Sequence, residues 1–158
     1  METSPNCKIS IYAKPVLGKV GKVASSSGSL DQTCVKHWAI VLKWLNSDGE
    51  VINIGIYESD SIYGKHVAKW EPEVTEKVLK KSGLKEVKVA GEVPLEPEAA
   101  IQFCKNFIDK KRVYHVKNDN CQSFCKEFIM EFLPETDIPW EDYPCDLHQA
   151  VQNFKTSS

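Results

Sequence analysis

Apolar and polar positions alternate from Lys8 through Ile9, Ser10 and Ile11, and this period of two predicts a first strand over residues 8–17. The run Lys36-His37-Trp38-Ala39-Ile40-Val41-Leu42-Lys43-Trp44 is nearly continuous in apolar residues. A strand of that kind belongs inside a sheet covered on both faces. Asn46-Ser47-Asp48-Gly49 follows, and its Asp-Gly pair predicts a hairpin to a partner strand from Val51 to Tyr57. Residues 58–72, which include His66 and Trp70, show no clear period and read as irregular. A short helix over 73–83 stops at Ser82-Gly83, and residues 85–90 read as another strand.

The helical period takes over in the second half. Glu96-Pro97-Glu98 opens a helix with proline in its first turn and acid at its positive end. Its apolar face is Ala100, Phe103, Cys104, Phe107 and Ile108. A short strand over Val113 to Val116 leads into a helix over 120–133, which ends where Leu133 meets Pro134. An irregular wrap from Ile138 to Pro144 and a last helix from Asp146 to Phe154 complete the pattern. Residues 18–33, rich in glycine and serine, form a long loop whose place before the His37 strand suits a lid. These elements define one α+β domain over residues 8–154, with a flexible N-terminus at 1–7 and a disordered tail at 155–158.

Composition narrows the classes of function. The chain of 158 residues is long enough for a core without staples. Its net charge of -2 argues against nucleic-acid binding, which shows as a clearly basic domain. A local patch would still suffice for a membrane surface. No run approaches the ~20 apolar residues of a spanning helix. The start of the chain has no signal-peptide core or myristoylation glycine, and six cysteines without a secretion signal read as reduced thiols in the cytoplasm.

The chemistry centres on Asn118-Asp119-Asn120-Cys121-Gln122-Ser123-Phe124. Cap-forming residues lead into an amphipathic run, so Cys121 falls in the first turn of a helix. There the macrodipole and free N–H groups favour thiolate. Cys121, Phe124, Cys125, Phe128 and Phe132 share one stripe, which turns the thiol inward. A thiol nucleophile needs a base nearby, and His37, near the end of the central strand, is the candidate. Cys104 and Cys125 on apolar faces read as small hydrophobes, and His66, His115 and His148 as surface or structural residues. Cys121 and Cys125 with Cys145 and His148 offer a set of four zinc ligands. The spacing and the mid-helix place of Cys125 disfavour it, so neither metal nor cofactor is expected.

His37-Trp38-Ala39-Ile40 resembles the His-Trp-Ala-Ile/Leu strand of the lecithin:retinol acyltransferase family, which includes the phospholipase A/acyltransferases. Asn120-Cys121-Gln122-Ser123-Phe124 resembles that family's Asn-Cys-Glu-His-Phe box, with Ser123 in place of its histidine. Tyr114 sits where that family often has tyrosine. The Ile9-Ser10-Ile11-Tyr12 strand, the Asn-Cys-x-x-Phe box and the residues around Ile138-Pro139 are also similar to the PPPDE thiol isopeptidases. Both resemblances imply a circularly permuted, NlpC-like papain fold, an antiparallel sheet packed against the helix that carries the nucleophile. They imply attack by Cys121 on an ester or amide carbonyl, a thioester intermediate, and an oxyanion hole of backbone N–H groups at the helix start. Lipid acyl transfer is slightly preferred, a ubiquitin-like or peptide substrate is the alternative, and an inactive interaction module of the same fold is a third reading.

A third polar residue should orient the imidazole. Alignment with the acyltransferase hairpin offers Asn53. Counting the ladder from a two-residue Asp48-Gly49 turn instead puts Asp60 opposite His37, with Glu58 one step inward on the same face. A bulge would reconcile Asn53, whereas a regular ladder favours Glu58.

Overall fold

The computed structural model describes residues 4–15, 36–115 and 120–138. In chain order the elements are β1 (Asn6–Pro15), β2 (Lys36–Leu45), β3 (Val51–Ile62), β4 (Lys65–Val74), α1 (Glu76–Lys81), β5 (Lys85–Pro94), α2 (Pro97–Asp109) and α3 (Cys121–Phe132). The class is α+β. The five strands form one antiparallel sheet in the order β4-β3-β2-β1-β5. No helix among the described residues is long and apolar enough to cross a membrane.

The near-continuous apolar run of β2 is explained by its place at the centre of this sheet. Trp38, Ile40, Leu42 and Trp44 enter the larger core beneath α2 and α3, together with Ile9 and Ile11 of β1. Ala39 and Val41 turn to the other face and pack with Ile54, Ile56, Leu79 and Leu84. Both faces are therefore apolar because both are covered, the lower one partly by α1 and the residues after it. The helices pack differently: α2 lies on β4, and α3 lies on β2 and β3. Phenylalanines fill the seam, with Phe103 of α2 about 5.0 Å from Phe128 and 5.8 Å from Phe124, and Phe107 5.1 Å from Phe124.

Three sequence readings are corrected. Residues 58–72 are not irregular: they complete β3, turn at Tyr63-Gly64 and return as most of β4. His66 and Ala68 are buried along β4 while Lys65 and Lys69 are exposed, a period of two hidden by the surrounding polar residues. The β2–β3 turn is also longer than the two-residue form. The Asn46 side chain accepts from the amides of Asp48 and Glu50, and Asn46 N–H bonds to the Glu50 carbonyl, so the loop spans 46–50. Leu45 pairs with Val51, a bulge follows, and Trp44 pairs with Asn53. Within the described residues the strand expected over 113–116 is reduced to isolated bridge positions at Val113, which pairs with Lys65, and at His115. The expected lid, C-terminal wrap and last helix lie outside them, apart from the buried Ile138.

One glycine couples the sheet to α3. A Cβ on Gly55 would stand 2.7 Å from Cε2 and 2.9 Å from Oη of Tyr57, whose buried ring lies 6.0 Å from Phe128. Gly55→Ala is therefore expected to push this ring against α3 and destabilise the fold by about 1–3 kcal/mol. Urea unfolding should show a lower midpoint with an unchanged slope. An unchanged midpoint would show that the Tyr57 ring can yield without cost.

Candidate active site

The sequence around Cys121 folds as a capped helix start. Asn120 is the N-cap, and its carboxamide oxygen accepts from the amides of Gln122 at 2.9 Å and Ser123 at 3.2 Å. The Ser123 hydroxyl answers by accepting from Asn120 N–H at 2.7 Å, which closes a capping box. This cap fixes where α3 begins, and so fixes Cys121 in its first turn. The Phe124 and Phe128 contacts fix the helix rotation, and Cys121 is 2% exposed within the core.

His37 reaches Cys121 from β2. The β2–β3 ladder runs as far as Ile40 and Tyr57, and beyond it His37 Nε2 donates to Glu58 Oε2 at 3.0 Å. The imidazole also lies within interaction range of the Cys121 side chain. Burial pulls its pKa down, but the hydrogen bonds and charges of Cys121 and Glu58 outweigh burial and raise it to about 9. The same contact with His37, opposed by burial, holds Glu58 below the usual carboxylate range. Asp60, the ladder-count partner, is occupied elsewhere and accepts from Lys69 Nζ at 3.0 Å.

Asn53 does not join this group. It pairs with Trp44, seven residues along β2 from His37, and its Nδ2 donates to the Pro72 carbonyl at 3.1 Å. The hairpin does contain a bulge, yet Asn53 remains remote. The five-residue loop and the one-residue bulge cancel, which leaves the register beyond them as a two-residue turn would have it.

A fourth side chain completes the wall. The Tyr114 hydroxyl lies against Cys121 and interacts with both its backbone and its side chain. Burial and the neighbouring thiol raise its pKa to about 12, so it is a neutral phenol near pH 7. Its ring stands edge-on to His66 at 4.9 Å, and His66 Nε2 lies 2.7 Å from Ser59 Oγ. His66 is thus buried beside the site. Its sequence signal was hidden with that of β4: Ser59 and His66 are diagonal neighbours only once the hairpin register is known.

The oxyanion hole expected from helix-start amides meets a competing use of those amides. Asn120 takes the N–H groups of Gln122 and Ser123, its carbonyl takes that of Phe124 at 3.1 Å, and Tyr114 engages that of Cys121. The Tyr114 O–H is a neutral donor beside the thiol that does not come from these amides.

The other described thiols have no such neighbours. Cys7 and Cys104 are buried, and burial pushes each up to about 12, while the buried Cys125 is raised as well. A thiol held protonated is a poor nucleophile. Cys145 and His148 of the alternative zinc set lie outside the described residues.

No protein-family model, curated protein or solved structure matches the chain.

The His37–Glu58 pair makes stability depend on pH. Because the folded His37 pKa is raised from 6.5 to about 9, its contribution is complete below pH 6.5 and lost as pH rises through 9. Glu58 is lowered from 4.5, so its contribution is present above that value and lost as pH falls below it. Unfolding free energy should therefore be highest between these limits. In Glu58→Gln the His37 titration, followed by imidazole NMR, should move to lower pH. An unmoved midpoint would show that Glu58 does not support the imidazolium.

Proposed function

We propose that the protein is a cysteine-dependent hydrolase or acyltransferase of the permuted papain-like class, acting on an ester or amide carbonyl. The observation that carries this reading is the continuous contact Cys121–His37–Glu58 at the start of a capped helix. Lipid acyl esters are the preferred substrate, on the strength of the His37-Trp38-Ala39-Ile40 and Asn120-Cys121 motifs.

In this mechanism the Cys121 thiolate, paired with the His37 imidazolium, attacks the carbonyl carbon. The carbonyl oxygen gathers negative charge and takes a hydrogen bond from Tyr114. Collapse breaks the bond to the leaving alcohol or amine, which takes its proton from His37, and the acyl group remains on sulfur as a thioester. Water or an acceptor amine then attacks the thioester and gives its proton to His37. Its acyl product leaves, and the thiol is restored. Glu58 accepts from His37 throughout, keeping the ring aimed and the imidazolium favoured.

The test is a single-turnover reaction with an activated acyl ester, quenched in acid and weighed by mass spectrometry. An acyl adduct on Cys121 is expected, and Cys121→Ala should abolish both adduct and turnover. His37→Ala should lower kcat by about 10²–10⁴-fold. Tyr114→Phe should lower kcat by up to about 10²–10³-fold with little change in KM, as for loss of one oxyanion donor. The reading fails if Cys121→Ala keeps the wild-type rate, or if Cys121 reacts with a thiol probe no faster than the other five cysteines.

A further inference from the structure

One corner of the molecule presents apolar side chains that the fold does not use. The turn between β3 and β4 has Ile62 paired with Lys65, and its two residues Tyr63 and Gly64 have φ of 51° and 80°. Both positions of such a turn require positive φ, which suits glycine and asparagine and strains a bulky residue. Tyr63 nevertheless occupies one of them, and it is 100% exposed. Ile62 beside it is 45% exposed, and Val113, bridged to Lys65, is 71% exposed. A strained backbone position that holds an aromatic ring wholly in water contributes nothing to the core.

Cations surround this tip. Lys65, Lys110 and Lys111 are exposed, and Arg112 is held by Glu127 at 2.8 Å. Lys111 also has a positive φ, 50°, again without being glycine. A cavity of about 350 Å³ opens between Lys65, Val67, Ile108, Lys111 and Arg112, with Asp109 as the carboxylate in its lining. On a chain of net charge -2 this is a local reversal of sign.

We infer that this corner docks the protein on an anionic lipid surface, with Tyr63, Ile62 and Val113 entering the interface and the lysines facing the headgroups. Aromatic tips flanked by apolar residues and backed by lysine match the chemistry of that interface. The patch is a protruding tip of three apolar side chains, far smaller than the roughly 20–30 residues a side of a stable protein interface. Its connection to the site is direct. Val113 points out at the tip, while Tyr114, the next residue, touches Cys121. Delivery of a lipid ester to Cys121 rests on the function proposed above; the docking itself does not.

The experiment is co-sedimentation of the full chain with vesicles of phosphatidylcholine alone and of phosphatidylcholine with phosphatidylserine. Binding is expected to the anionic vesicles and to weaken from ~0.1 M to ~1 M salt, where the screening length falls from about 10 Å to about 3 Å. Tyr63→Asn places in the turn a residue that accepts positive φ, so thermal stability should hold or rise while binding falls about tenfold or more. Lys111→Asn applies the same logic to the charge and should lower binding to anionic vesicles. Absence of binding to anionic vesicles, or undiminished binding by Tyr63→Asn, overturns the inference, as does a Tyr63-dependent complex with a protein in place of vesicles. Cys121→Ser should bind like the wild type, so docking stands or falls independently of the thioester chemistry.

Discussion

Everything at the site depends on how α3 is rotated about its own axis. Neighbouring helical side chains project about 100° apart, since a turn takes 3.6 residues. A modest roll would therefore carry Cys121 away from His37. The rotation is set by apolar contact: Phe124 and Phe128 wedge against Phe103 and Phe107, and Phe128 lies against Tyr57. The cap sets the other coordinate, because Asn120 determines which residue is the first in the helix. Packing and capping are separate devices, and together they leave the thiol a single place to be.

The sheet provides the partner with a matching precision. Side chains alternate between faces along a strand, so a slip of one residue in β2 or β3 would turn His37 and Glu58 to opposite sides. The register is specified at several points at once, by Trp38, Ile40 and Leu42 on one face and Ala39, Val41, Ile54 and Ile56 on the other. A central strand apolar on both faces cannot slip without exposing one set and burying charge. The burial that makes β2 stable is also what aims the imidazole.

How much of this could be read from the sequence follows from how local each signal is. The Cys121 helix start was legible because a cap and a stripe are both contained in about a dozen residues. The β1 and β2 strands were legible from their own periods. Glu58 was reached by counting, and the count reached the right register although the assumed turn was wrong, since the longer loop and the bulge at Trp44/Leu45 compensate. β4 was missed because tyrosine in the first turn position conceals a tight hairpin, and His66 and Ser59 were missed with it. The occupied helix-start amides were missed for another reason. Asn120 was read as a cap, but the partners a cap takes are the same N–H groups that an oxyanion would need.

That competition bears on why a phenol stands at this thiol. A helix N-terminus offers its amides either to a cap or to a ligand. Here the cap satisfies the amides of Gln122 and Ser123, and in doing so holds Cys121 in position. In the proposed reaction a developing oxyanion would then be served by a donor other than these backbone amides. The reading proposed above gives that part to Tyr114, which lies on a separate segment whose backbone is tied to the β3–β4 turn by the Tyr114 N–H to Gly64 carbonyl bond at 2.8 Å. The phenol is thus positioned by the sheet while the thiol is positioned by the helix. The same turn that holds Tyr114 carries Tyr63 into solvent, so the exposed tip and the segment that touches the thiol share one anchor.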